Sequence, residues 1–160
     1  MFIIDSNILI EAKRVHFPLA PKHPFWDWLV ELGERGEIKI PEAVYKELEV
    51  GKDELSEWLE NHKSLFFIPE RDAYSELPPV LESYIALYDS EIDETELEVL
   101  KADPWVIAHA KALGGRVLSN ERPKGKALKS IKEVKIPSVC KNFDIECVSL
   151  TQFLWEMKTE

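Results

Sequence analysis

Four acidic residues, Asp5, Glu47, Asp103 and Glu121, stand where a chain of short strands and helices would gather carboxylates. Glu47 is the most telling. At about 100° per residue it falls between Ala43 and Val44 on the helical wheel and close to Leu48, inside the apolar stripe, whereas Glu42, Lys46 and Glu49 fall on the opposite side. A lone carboxylate on a core-facing stripe costs several kcal/mol unless something compensates it, and no base shares that face within one turn. Asp103 behaves alike, because Val106, Ile107, Ala110 and Leu113 continue its own face. Each acid also has a structural alternative: Asp103 before Pro104 could cap a helix, Asp5 could cap the next one, and Glu121 could be a loop charge. Acids that converge without matched bases are what Mg²⁺ or Mn²⁺ needs, since these hard cations take carboxylate oxygens and keep waters to share with a phosphate. Phosphodiester hydrolysis is the natural chemistry of such a cluster.

The elements that must position these acids are legible from apolar patterning. Phe2-Ile3-Ile4 is a short apolar run that predicts a buried parallel strand ending at Asp5-Ser6-Asn7. Helices are predicted over Ser6 to Lys13 and Phe25 to Arg35, the second stopped by Gly36. A strand at Ile38 to Ile40 leads to Pro41 as the first residue of a helix reaching Val50. Further helices are predicted at Asp53 to Glu60, from Pro78-Pro79 to Leu87, from an Asp93-x-x-Glu96 capping box to Leu100, and from Asp103 to Leu113. Strands are expected at Leu65 to Ile68, Arg116 to Ser119 and Glu146 to Val148. The remaining helices are expected around Lys126 to Ile131, from Pro137 to Asn142 and from Thr151. This alternation predicts an α/β domain with a mostly parallel sheet of four or five strands. In such a sheet, ligands bind at the carboxyl edge of the strands. Asp5, Asp103 and Glu121 all fall on that edge.

A chain of 160 residues with 45% apolar side chains can build one core, so a single domain spanning 1–160 is expected. No run approaches the ~20 apolar residues of a membrane span, and the first residues lack the pattern of a signal peptide, so a soluble, cytoplasmic protein is expected. Cys140 and Cys147 read as buried small hydrophobes and not as a disulfide framework. His16, His23, His62 and His109 lack zinc-site spacing. The net charge of −10 excludes a protein that merely coats nucleic acid. That charge is unevenly spread: Glu82 to Glu98 holds no base, whereas Arg116 to Lys135 is rich in them. Arg122, Lys124, Lys126 and Lys129, just after Glu121, are the expected contacts to a nucleic-acid backbone.

The strand ending in Asp5-Ser6-Asn7, the Val44-x-x-Glu47-Leu48 helix, the segment Ala102-Asp103-x-x-Val106-Ile107-Ala108-x-Ala110 and the strand end Val117-Leu118-Ser119-Asn120-Glu121 resemble PIN domains in order and spacing. Phe25-Trp26-Asp27-Trp28, Gly51-x-Asp53-Glu54-Leu55-x-x-Trp58 and Lys135-Ile136-Pro137-x-Val139-Cys140 resemble an uncharacterised PIN-like family of bacteria and archaea. The likeness implies a three-layer α/β/α fold and Mg²⁺- or Mn²⁺-dependent cleavage of RNA, often as the toxin of a toxin–antitoxin pair, hence an antitoxin partner. Carried across, Asp5, Glu47, Asp103 and Glu121 would be the catalytic, metal-binding acids, supported by Asn7 and Ser119. Two departures are visible: Glu121 stands where many PIN domains carry aspartate, and the loop from Val15 to Pro24 is unlike the compact toxins. A homodimer, one or two metal ions, and RNA or DNA as target all stay open.

Rival readings fit less well. A haloacid-dehalogenase-type phosphatase needs a second aspartate where Asn7 stands, and a receiver-type phosphoacceptor needs further acids near the first strand. A non-catalytic binding module for nucleic acid or protein would instead work through the aromatic segment from Phe25 to Trp28, although aromatics at helical spacing are more often core.

Overall fold

The computed structural model describes residues 1–125 and 127–158. The apolar run Phe2–Ile4 forms the central strand β1, and all three of its residues are buried, as a strand covered on both faces requires. Strands β2 (Ile38–Pro41) and β3 (Phe67–Ile68) lie to one side, and β4 (Arg116–Leu118) and β5 (Cys147–Val148) to the other. The sheet runs β3-β2-β1-β4-β5, with every pairing parallel. Strand order reverses between β1 and β4, and there Ile4 stands opposite Leu118. That is the switch point of a doubly wound sheet, where the loops leaving adjacent strands diverge and open a crevice.

Helices α1 (Ser6–Glu11), α2 (Pro24–Glu34), α3 (Glu42–Glu49), α4 (Glu54–Asn61), α5 (Lys63–Phe66), α6 (Leu77–Tyr88), α7 (Asp103–Leu113), α8 (Ile136–Lys141) and α9 (Leu150–Lys158) flank the sheet. The result is the three-layer α/β/α arrangement expected. On one face α7 crosses β1, β2 and β4, with α6 and α8 beside it. On the other, Trp28 of α2 meets Phe153 of α9 at 5.5 Å between ring centroids, and Phe153 stands edge-on to Phe2 of β1 at 4.9 Å. Trp26 and Phe66 both pack on Trp58, at 4.9 and 5.4 Å, and tie α2, α4 and α5 together. A Cβ at Gly33 would run into the Phe66 ring, so glycine there lets α2 approach α5. Among the described residues no helix is long and apolar enough to cross a membrane.

Local predictions differ from the fold in four places. The run Leu65 to Ile68 is not all strand: Lys63–Phe66 is a helical turn that buries Phe66 before a two-residue strand. Pro41 is the last residue of β2, paired with Ile68, and precedes α3 without entering it. Of the helix expected around Lys126 to Ile131, residue 126 lies outside the described residues and 127–130 are not helical; a single 3₁₀ turn follows at Ile131–Glu133. The Asp93–Glu96 capping box forms, but on a 3₁₀ segment, Glu94–Leu100.

Candidate functional site

Because β1 and β4 end side by side, the residues that follow them face each other across the switch point. Asp5 is fully buried, and its Oδ2 accepts a hydrogen bond from Ser119 Oγ at 3.0 Å. Ser119 Oγ in turn accepts from the backbone N–H of Glu121 at 3.1 Å. Glu121 Oε1 accepts from the N–H of Ile136 at 2.9 Å and so ties the loop after β4 to the start of α8. Ser119 thus supports the cluster as expected. Asn7 does not, for it is exposed. Its place is taken by Ser6, buried at the start of α1, whose Oγ donates to Glu47 Oε1 at 3.2 Å.

Glu47 is half-buried on α3, facing inward as its wheel position predicts. Its Oε2 and Asp5 Oδ1 are both buried without a hydrogen-bond partner among the described residues. Asp103 is the first residue of α7, and its side chain makes no cap: the N-cap is Ala102, so the capping alternative falls away. Burial, then repulsion from Glu121 and Glu47, lifts Asp5 to about 7 against the opposing Ser119 hydroxyl. Burial, followed by the charges of Glu121, Asp5 and Glu47, pushes Asp103 far above the carboxylate range, with Lys135 the opposing cation. The four acids, drawn from four separate segments, therefore sense one another. An unpaired negative charge in a low-dielectric crevice is costly, and without a cation the site relieves it by holding protons.

Sequence reasoning missed Tyr84, Lys135 and Ser6. Tyr84 of α6 is fully buried, its hydroxyl has no partner among the described residues, and its phenol is raised by burial and then by Asp103 and Glu121. It follows Val80 by one helical turn on the buried stripe of α6, where any core aromatic could stand, so the sequence carries no signal that marks it out.

The basic residues are arranged differently from expectation. Arg122, Lys124 and Lys129 are exposed, Lys124 pairs with Glu133 at 2.8 Å, and Lys126 lies outside the described residues. Lys124 lines a cleft of about 550 Å³ together with Tyr88 and Leu128, and none of the four acids borders it. Two other clefts do meet the cluster, at Glu47. One, of about 430 Å³, is lined by Lys13 and Arg14 from the π-helical turn Ala12–His16; the other, of about 420 Å³, by Lys46, Lys101 and Trp105. Phe25 and Trp26 are buried in the core, while Trp28 borders an apolar cleft of about 650 Å³ with Phe17 and Met157.

Among the described residues no group of three or more His, Cys, Asp or Glu side chains is arranged to hold a metal ion. What the crevice offers is two orphaned carboxylate oxygens, both hard donors. Compared with known proteins, residues 2–160 match a family model described as a domain of unknown function (DUF4411). No curated protein and no solved structure matches the chain.

Proposed function

We propose that the chain, which belongs to the DUF4411 family across residues 2–160, is a metal-dependent nuclease of the PIN type that hydrolyses phosphodiester bonds of RNA. The observation that carries this reading is the acid cluster at the β1–β4 switch point, where Asp5 is fully buried with one carboxylate oxygen unpartnered and is repelled by Glu121 and Glu47. No structural role needs that arrangement, since neither Asp5 nor Asp103 caps its helix through its side chain.

The donor set fits Mg²⁺ or Mn²⁺ and not an all-protein cage. Mg²⁺ is commonly held by one or two carboxylates, with waters and substrate oxygens completing its octahedron, so a site without a three-ligand group accords with it. A bound divalent cation supplies positive charge that activates water and offsets the charge developing on a phosphodiester. The chain's own residues prepare the site. Ser119 fixes one oxygen of Asp5 and Ser6 one oxygen of Glu47, leaving the other oxygen of each buried without a partner among the described residues. Glu121 Oε1 accepts from the first turn of α8, and its Oε2 would be the oxygen offered to a cation. Asp103 would give up a proton as a cation enters, and Lys135 moderates the repulsion among the acids.

The test is cleavage of mixed single-stranded and structured RNA with Mn²⁺, with Mg²⁺ and with EDTA, using Glu47→Gln as control. Activity that survives EDTA or Glu47→Gln overturns the proposal. The likeness to PIN toxins extends the reading to a cytoplasmic toxin restrained by an antitoxin, which copurification with the product of an adjacent gene would test. A second reading, a binding module, draws on the apolar cleft bordered by Trp28. It predicts binding without cleavage at any metal concentration.

A further inference from the structure

Beside Glu47, a cleft of about 420 Å³ runs between the C-terminal half of α3 and the first turn of α7. Its size is that of a small-ligand pocket. Trp105, half-buried and two residues beyond Asp103, forms one wall. Tyr74, 60% exposed, neighbours Trp105 outside the cleft, its ring 6.0 Å from the Trp105 ring and tilted by 59°. Val50, 80% exposed, stands at the opposite rim. Two exposed apolar side chains and a half-open indole beside an acidic crevice are an unusual expenditure of surface.

The charges of this cleft are equally specific. Lys46 is neutralised by Glu42 and Glu70, at 3.1 and 3.0 Å. Lys101 is exposed and makes no ion pair among the described residues. Its backbone is held at φ 51, a conformation a side chain other than glycine rarely adopts. Leu100 and Ala102, at 3% and 2% exposure, are buried on either side and hold that conformation, and Lys101 between them lines the cleft.

We infer that Trp105 and Tyr74 form a stacking platform for an unpaired nucleobase next to the cleavage centre, with Lys101 on the adjoining phosphate, so that the substrate must be single-stranded. The inference rests on the nuclease reading for the identity of the centre at Glu47, but the platform is a binding site in its own right. Aromatic faces accept any base, and a lone cation at their edge meets the backbone charge. A duplex would hide the base faces that the platform needs.

The experiment measures the affinity of a short fluorescein-labelled oligoadenylate and an oligouridylate by fluorescence anisotropy in EDTA, then their cleavage with Mn²⁺. Wild type should prefer oligoadenylate, because adenine stacks better. Trp105→Leu should weaken oligoadenylate roughly tenfold and flatten the preference, and Tyr74→Ala, at an exposed site that leaves folding intact, should weaken it roughly threefold. Lys101→Ala should make the log–log salt slope shallower by about 0.7. Unchanged affinity and preference in both aromatic variants, with wild type cleaving, overturns the platform and leaves the nuclease reading standing. Loss of binding in both variants without cleavage by any form supports the platform and overturns the nuclease reading. Wild type that neither binds nor cleaves overturns both.

Discussion

Replacing Asp5 by Asn in the metal-free protein should change how stability depends on pH. The folded chain holds a proton on Asp5 up to about 7, against an ordinary value of 3.8. Because the folded-state value is the higher one, the stabilisation is complete below pH ~4 and is lost as pH rises through about 7. Across that window the loss sums to about 4 kcal/mol, at about 1.4 kcal/mol per pH unit. Asp103, raised for the same reasons, adds a loss of the same sign in both proteins. The two proteins should therefore differ in slope by about 1.4 kcal/mol per pH unit between about pH 5 and pH 6, the wild type falling faster. Asparagine keeps an oxygen for the Ser119 hydroxyl, so the substitution removes charge without removing the hydrogen bond. The assay is urea unfolding in EDTA at several pH values, followed by fluorescence of the buried Trp26 and Trp58. Parallel stability–pH curves would mean that Asp5 pays no penalty for its charge, and the electrostatic case for a cation site would fail. Adding Mn²⁺ at high pH should then favour wild type by about 2.7 kcal/mol at a hundredfold excess over its dissociation constant, with much less gain for Asp5→Asn.

The same competition between proton and cation predicts that the apparent affinity for Mn²⁺, measured by calorimetry, weakens as pH falls below about 7; a pH-independent affinity would place the ion elsewhere. Glu47→Gln should abolish cleavage and Ser6→Ala should reduce it, while Glu42→Gln should spare cleavage and leave the melting temperature nearly unchanged, because glutamine keeps an oxygen for the backbone N–H of Glu70 and only the exposed ion pair with Lys46 is lost. Tyr84→Phe removes a buried hydroxyl without a partner and should leave metal-free stability unchanged or raise it by about 1 kcal/mol in urea titrations. His109, buried with both ring nitrogens unpartnered among the described residues, is pushed down to about 4 by burial. Its contribution is present above pH ~6.5 and lost as pH falls toward 4, so His109→Leu should flatten the acid side of the stability curve.

Much of this arrangement was legible because it follows from local periodicity. A short apolar run ended by Asp5-Ser6-Asn7 reads as a strand covered on both faces, and Phe2–Ile4 is that strand. The stripe following Asp103 fixed α7 to the residue, and the wheel placed Glu47 on the inward face. The failures are equally physical. Asn7 was expected to support Asp5 because the resemblance to PIN domains carries it there, but Asn7 lies in the first turn of α1 and is exposed. Successive residues then rotate by about 100°, which brings position 6 inward and sends position 7 to solvent. The helix start at Ser6 is as expected, and it is the rotation within that first turn that makes Ser6 the polar support in place of Asn7.

The expected basic track is a different case, and its placement bears on function. Density along the chain drew attention to Arg122 through Lys135, yet charge acts through distance in space, and Lys124 spends its charge on Glu133. The cations bordering Glu47 come from the π-helical turn after α1, from α3 and from the residue before Ala102. No window of sequence contains them together. Their two clefts join at the same carboxylate, so a phosphodiester chain entering past Lys13 and Arg14 and leaving past Lys101 would cross Glu47 midway. Lys13 is held by Asp53 at 2.9 Å, which leaves Arg14 as the freer cation on the entry side, as Lys101 is on the exit side. If the strand follows that path, Arg14→Ala and Lys101→Ala should weaken single-stranded RNA binding additively, because the two side chains border separate clefts and share no partner. Lys124→Glu should leave affinity nearly unchanged. The reverse ranking in an anisotropy titration would restore the loop after Glu121 as the nucleic-acid track and remove Glu47 from its centre.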